Sequence, residues 1–218
     1  MSPVRNLKKL PSRIWQGLAR MLSRKPKYEL SELHYVVLDT ETTGFDYEKD
    51  RILCIGALRL QNESIAVQDC LEIYIRQEHY DRESTAIHGI LSREERPCMD
   101  EKEALVDFMH YLGNGVIVAH HARFDLTMLN TALIRHRMPK IRNMVLDTSV
   151  LYRKMVIDSP VVHKKERYTL DELADKFDIS KKDRHTALGD ALITAFAFLR
   201  ILHALRKKGI TTLGQARG

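Results

Sequence analysis

The 218-residue chain has the length of one domain by the rough rule of 100–200 residues per domain. At 44% hydrophobic and 29% charged, its composition excludes a wholly disordered or fibrous protein. The net charge of +6 is unevenly placed: residues 1–28 carry eight basic and no acidic side chains, while the remaining 190 carry 27 basic and 29 acidic. An argument from basicity to a polyanionic partner therefore applies to the tail alone. Cys54, Cys70 and Cys98 form no CxxC pair and cannot all be disulfide-bonded, which reads as thiols in a reducing cytoplasm. No apolar run approaches the roughly 18–20 residues of a membrane span, and no secretory leader is recognisable. The expectation is a cytoplasmic protein with no transmembrane segment.

In the tail, Leu7, Leu10, Ile14, Leu18, Met21 and Leu22 recur at three- and four-residue spacing among Lys and Arg. That pattern predicts a short basic amphipathic helix whose apolar stripe meets the protein's own body, a partner protein, or an acidic surface. Tyr35-Val36-Val37-Leu38 reads as a buried strand, followed by strands over 52–60 and 70–76 joined by polar Gln61-Asn62-Glu63-Ser64; short polar connections predict an antiparallel meander. Helical spacing then runs from Asp100 to Leu112, a buried strand covers 116–119, a helix 122–137, and a last strand 143–146. Thr169-Leu-Asp-Glu172 is a capping-box sequence opening a helix to about Phe177,. A long helix runs from Thr186 to Lys208 and stops at Gly209,. Three antiparallel strands followed by β-α-β predict an α/β fold with a mixed five-stranded sheet flanked by helices. The chain divides into a tail over 1–28, a body over 29–209 and a short C-terminal tail over 210–218.

Asp39 and Glu41 lie two apart at the carboxyl end of a buried strand, so their side chains share a face. Paired carboxylates at a core edge repel each other and cost desolvation free energy, which a divalent cation relieves. Oxygen ligands point to Mg²⁺ or Mn²⁺ rather than zinc, although Asp-x-Glu after a strand also serves as a cap or turn. Asp125 follows the strand 116–119 on the first turn of a helix, where the helix dipole alone could account for it. Asp190 falls inside an apolar helix, where an unpaired carboxylate is expensive, and His185 precedes it by five residues at the helix start. Four carboxylates and one histidine at the ends of apolar elements match the needs of two-metal phosphodiester hydrolysis, with the histidine taking a proton near neutral pH.

These residues resemble the DEDDh family of 3′–5′ exonucleases, whose best-known member is the proofreading epsilon subunit of bacterial DNA polymerase III. Asp39-Thr-Glu41-Thr-Thr-Gly is similar to the first family motif, Asp125 in its His-x-x-x-Phe-Asp setting to the second, and His185 through Asp190 to the third. Ile87-His88-Gly89-Ile90, Glu83 and Asp147-Thr148 add to the agreement, which spans about residues 33–203. The resemblance implies a ribonuclease-H-like fold and two Mg²⁺ or Mn²⁺ ions, with Asp39, Glu41 and Asp190 holding one and Asp39 the second. Asp125 completes the site and His185 is the general base. Thr42, Thr43, Glu83 and His88 lie by the 3′-terminal nucleotide, Phe124 supports the site from behind, and Asp147 caps the next helix. Three departures stand out: Cys54 where the family carries Glu or Gln, His121 where it carries Asn, and Thr186 where Arg is common. The epsilon subunit also continues into clamp- and polymerase-binding segments absent here, so the expectation is a stand-alone exonuclease or one tethered through its tail.

The implied activity is hydrolysis at the 3′ end of single-stranded or frayed DNA, releasing nucleoside 5′-monophosphates. The same chemistry on RNA is the first alternative, since that choice depends on how the pocket treats the 2′-hydroxyl. A catalytically silent binding module is the second.

Overall fold

The computed structural model describes residues 28–77, 97–157 and 165–217. Glu83, His88 and, apart from Tyr28, the basic tail lie outside the described residues. Six strands form one sheet in the order β4-β3-β2-β1-β5-β6: β1 (Tyr35–Thr42), β2 (Ile52–Gln61), β3 (Ser64–Ile75), β4 (Cys98–Met99), β5 (Val116–Ala119) and β6 (Val145–Asp147). The β1–β2 and β2–β3 pairs are antiparallel, whereas β3–β4, β1–β5 and β5–β6 are parallel. The expected mixed α/β sheet is therefore present, with one strand more than the five expected, the two-residue β4.

Alternation along β1 decides what each face carries. Tyr35 and Val37 enter one core with residues of α3 (Thr148–Val156), α4 (Leu170–Phe177) and α5 (Ala187–Lys207). Val36 and Leu38 enter a second core with α1 (Glu101–Leu112) and α2 (Arg123–Arg135). Period-two geometry then sends Asp39 and Glu41 to the α5 face and Thr40 to the α2 face.

The helices start where their caps dictate. Asp100 accepts from Lys102 N–H to open α1, and Thr169 with Glu172 forms the full capping box of α4. Thr186 accepts from Gly189 N–H at the head of α5. Helix α5 alone among the described residues is long and apolar enough to cross a membrane. Its Ala191, Ala195, Phe198, Ile201, Leu202 and Leu205 are all buried in the first core. The stretch read as a short C-terminal tail is built into the fold over 210–217: Leu213 and Ala216 of α6 (Leu213–Arg217) are buried, and Leu30 N–H bonds Thr211 O at 2.8 Å.

Gly56 pairs with Asp39 across β1 and β2. A Cβ at Gly56 would stand 2.2 Å from the Ala187 carbonyl carbon and 2.3 Å from the Leu188 nitrogen. The first turn of α5 thus lies against bare sheet backbone. Because the obstacle is backbone and not a flexible side chain, Gly56→Ala should destabilise by about 2–3 kcal/mol or more and displace the head of α5. Chemical denaturation checks this; an unchanged midpoint would refute the contact.

Candidate metal-binding active site

That close approach brings Asp190, in the first turn of α5, over the end of β1. Ligand oxygens from Asp39, Glu41 and Asp190 all lie within 4.8 Å of one another, from half-buried Asp39 and Glu41 and buried Asp190. Asp125 reaches the same strand end from the α2 side. Thr40 lies between these faces, donating to one Asp125 carboxylate oxygen through both its N–H (3.0 Å) and its hydroxyl (2.7 Å). Asp125 is therefore anchored to β1 beside the cluster of three.

Burial and mutual repulsion govern the electrostatics. Burial pushes Asp125 up to about 7 against the opposing Thr40 hydrogen bonds, and pushes Glu41 to about 7 with Asp190 adding to the rise. Asp39 is held well above the usual carboxylate range by burial first, then by Asp125, Asp190 and Glu41. Asp190 is raised by burial while Arg184 pulls it down. Three convergent all-oxygen donors, their repulsion only partly offset by Arg184, fit a hard divalent cation.

His185 is exposed at the mouth of the site, with φ +65°, and its backbone N–H bonds Asp190 Oδ1 at 3.3 Å. Its side chain stands free of the apolar stripe of α5. Thr42 and Thr43 are buried and shape the turn after β1: Thr42 Oγ1 donates to Gly44 O, and Thr43 Oγ1 donates to Asp50 Oδ1 while accepting from Arg51 N–H. Phe124 supports a neighbouring surface, with the Phe45 and Tyr47 rings 5.7 and 5.8 Å from its own. Phe45 is 80% exposed.

Asp147 is the cap expected, accepting from Ser149 N–H at the head of α3, and also from His121 N–H (3.3 Å) and Ala122 N–H (2.9 Å). It thereby ties the residues leading into α2, whose own N-cap residue Ala122 makes no side-chain capping bond, to the head of α3. His121 has φ +57°, a left-handed conformation that Asn and His tolerate better than most residues, so backbone geometry explains why one can stand for the other. Thr186 is committed to the α5 cap. His120 is structural: its ring bonds Thr148 Oγ1 and the Tyr168 carbonyl, both at 2.8 Å, and burial takes it down to about 4. Sequence pattern alone did not point to Arg184 and Asp171, which bond to Asp190 or to each other, or to Phe45 and Tyr47, which lie against Phe124 next to Asp125.

The description "exonuclease", of the ribonuclease T type, matches residues 36–198 of the chain, a span holding every carboxylate of the site. The chain belongs to the exonuclease family. The chain is 35% identical over 189 residues to a DNA polymerase III subunit epsilon-like protein of Rhodobacter capsulatus, covering 85% of this chain and 26% of that one. It is 32% identical over 181 residues to a PolC-type DNA polymerase III of Thermotoga petrophila, covering 83% and 13%. The epsilon subunit of Aquifex aeolicus is 29% identical over 186 residues, covering 84% and 87%. The chain thus spans a small part of the first two relatives and most of the third. In fold it is similar to E. coli exonuclease I in complex with a dT13 oligonucleotide (TM-score 0.70, 16% identity, covering 81% of this chain and 42% of that one). Exonuclease X in complex with 5′-overhanging duplex DNA gives 0.61, 21%, 85% and 98%.

The raised carboxylates set the sign of the metal-free pH response. Asp125 and Glu41 titrate from 3.8 and 4.5 to about 7 on folding, so across that window the native state holds protons the unfolded chain has released. The stability these carboxylates contribute then falls as pH rises, opposed in part by His120, whose lowered value works in the other direction,. In chelator, the melting temperature should drop between pH 4.5 and about 7, and a divalent cation should flatten the drop. A melting temperature that climbs over this range in chelator would contradict the assignment.

Proposed function

We propose that this exonuclease removes nucleotides one at a time from the 3′ end of single-stranded or frayed DNA, releasing nucleoside 5′-monophosphates with the help of two divalent cations, Mg²⁺ or Mn²⁺. The observation that carries the reading is the convergence of Asp39, Glu41 and Asp190 within 4.8 Å, beside the anchored Asp125, in a chain of the exonuclease family. When bound, the ions supply neutralisation of the scissile phosphate and activation of the attacking water.

The chain's own residues do the rest. Asp39, Glu41 and Asp190 would hold one ion, Asp39 would also serve the second, and Asp125 would complete the set. His185, exposed at the mouth and tied through its backbone to Asp190, takes the water's proton on an imidazole nitrogen. Phe45 and Tyr47 offer exposed ring faces beside the strand end, suited to stacking unpaired bases. Thr42 and Thr43 fix the turn that carries those rings, and Glu83 and His88 contribute to the 3′-terminal subsite. Residues 1–28, with eight basic and no acidic side chains, carry the charge that a long polyanion or an acidic partner surface would attract. DNA is favoured because the relatives are named as DNA polymerase III proteins and the solved neighbours carry DNA.

The test is degradation of end-labelled single-stranded DNA and RNA of matched sequence. Mononucleotides should appear from the 3′ end with Mg²⁺ or Mn²⁺ and vanish in excess EDTA, and Asp190→Asn should abolish them. Full activity in chelator would overturn the metal assignment, and faster loss of the RNA would move the substrate to that class. His185→Ala should cost roughly 10²–10⁴-fold in rate with Mn²⁺ binding retained. Its pH–rate profile should lose the acidic limb; a profile identical to wild type would remove His185 as base.

A further inference from the structure

Arg184 precedes His185 in the loop 183–186, which folds tightly over the first turn of α5. A Cβ at Gly189 would stand 1.9 Å from the Asp183 carbonyl oxygen, so only glycine lets the loop come down this far. The Arg184 guanidinium makes a two-bond fork on Asp171 at the head of α4, from Nε to Oδ1 at 2.9 Å and from Nη2 to Oδ2 at 3.1 Å. Its remaining arm, Nη1, donates to Asp190 Oδ2 at 2.5 Å. The other Asp190 oxygen takes the His185 N–H, so both oxygens of Asp190 are held from the same loop. The positive field also reaches Asp39 and Glu41. The side chain is 18% exposed and Asp190 only 9%.

We propose that Arg184, pinned by Asp171, is a resident counter-ion of the carboxylate site: it positions Asp190 and competes with the incoming divalent cation, lowering the affinity for that cation. The inference rests on the metal-site reading above. A planar fork on a carboxylate fixes the guanidinium more firmly than a lysine's point charge would be fixed. Arginine also stays charged at every working pH, so its opposition to the metal is constant. The free arm lies on an oxygen of a carboxylate assigned to the ion, and its charge cancels part of the negative potential that attracts the ion. A purely architectural ion pair would stabilise the metal-free and metal-loaded protein equally. A counter-ion stabilises the metal-free form more.

That difference is measurable on the full chain with Mn²⁺ as probe. Melting temperatures of wild type, Arg184→Gln and Arg184→Lys are recorded in chelator and in saturating Mn²⁺, and the Mn²⁺ dissociation constant is read from the electron paramagnetic resonance of free ion. Arg184→Gln should melt lower in chelator, gain more on adding Mn²⁺, and bind it at least about tenfold more tightly, the scale on which one unit charge acts at short range. Arg184→Lys, which keeps the charge, should return most of the way to wild-type affinity. Unchanged or weaker Mn²⁺ binding by Arg184→Gln would overturn the inference. Should that variant not fold, the wild type decides: the Arg184 Nε–H resonance, identified by its loss in Arg184→Lys, should move as Mg²⁺ saturates, and a stationary resonance would overturn it. A wild-type chain that binds no Mn²⁺ would overturn the metal site itself and this inference with it.

Discussion

The structure depends on how closely the head of α5 approaches the sheet. A helix normally packs on a strand through side chains, which keep the two backbones well apart. At Gly56 that spacer is missing, and the Ala187–Leu188 peptide lies where a Cβ would be. Gly56 is the register partner of Asp39, so the closest point of contact coincides with the first carboxylate of the site. Asp190, three residues into the helix, is thereby brought to Asp39 and Glu41. Everything else in the site adjusts to that convergence. Thr40 holds Asp125 at its other side, Asp147 ties down the residues that lead into α2, and Arg184 lies against the carboxylate carried by α5.

Repulsion among these acids is a cost borne by the fold. It shows in the upward displacement of Asp39 and Glu41, where neighbouring site carboxylates add to burial; Asp125 and Asp190 are raised chiefly by burial itself. Elsewhere in the described residues carboxylates are placed to the opposite effect. Glu101, between Arg135 and His136, is held below its usual range by those partners against the effect of burial. The contrast separates carboxylates that hold helices together from carboxylates left in need of a cation.

Much of this was legible in the sequence because it follows from short-range pattern. The apolar run of β1 and its period-two end placed Asp39 and Glu41 on one face, and an acid in the apolar pattern of α5 marked Asp190. The misses have physical causes. Strand β3 starts at Ser64 and not at Cys70 because Asn62 and Glu63 form a two-residue hairpin with φ of +50° and +62°, and Glu is a poor turn signal there. The exposed first half of that strand carries no apolar alternation. Helix α3 is only nine residues long and follows β6 with no connecting turn between them, although its cap at Asp147 was visible. Strand β4 exists only through parallel pairing of two residues with the end of β3, a contact between segments far apart in sequence. Arg184 sits after Lys181-Lys182-Asp183, a run that reads as a solvated charged loop; only the fold shows that Asp171 and Asp190 converge on it.

The turn after β1 has one more consequence. Asp50 accepts from Thr43 Oγ1 and from Asp46 N–H, Asp46 accepts from the N–H groups of Glu48 and Lys49, and Arg51 Nη1 donates to the carbonyls of Glu48, Lys49 and Asp50. Phe45 therefore projects into water from a segment whose own hydrogen bonds already fix its path. Ordering a free loop around a ligand costs about 1–2 kcal/mol of backbone entropy per residue. Here that loss is incurred when the chain folds, so a base settling on the ring, as the proposed function requires, would surrender little beyond its own freedom of motion. Under the proposed function, such a surface would grip any base weakly and release it quickly, as a chain end advancing by one nucleotide after each cleavage requires.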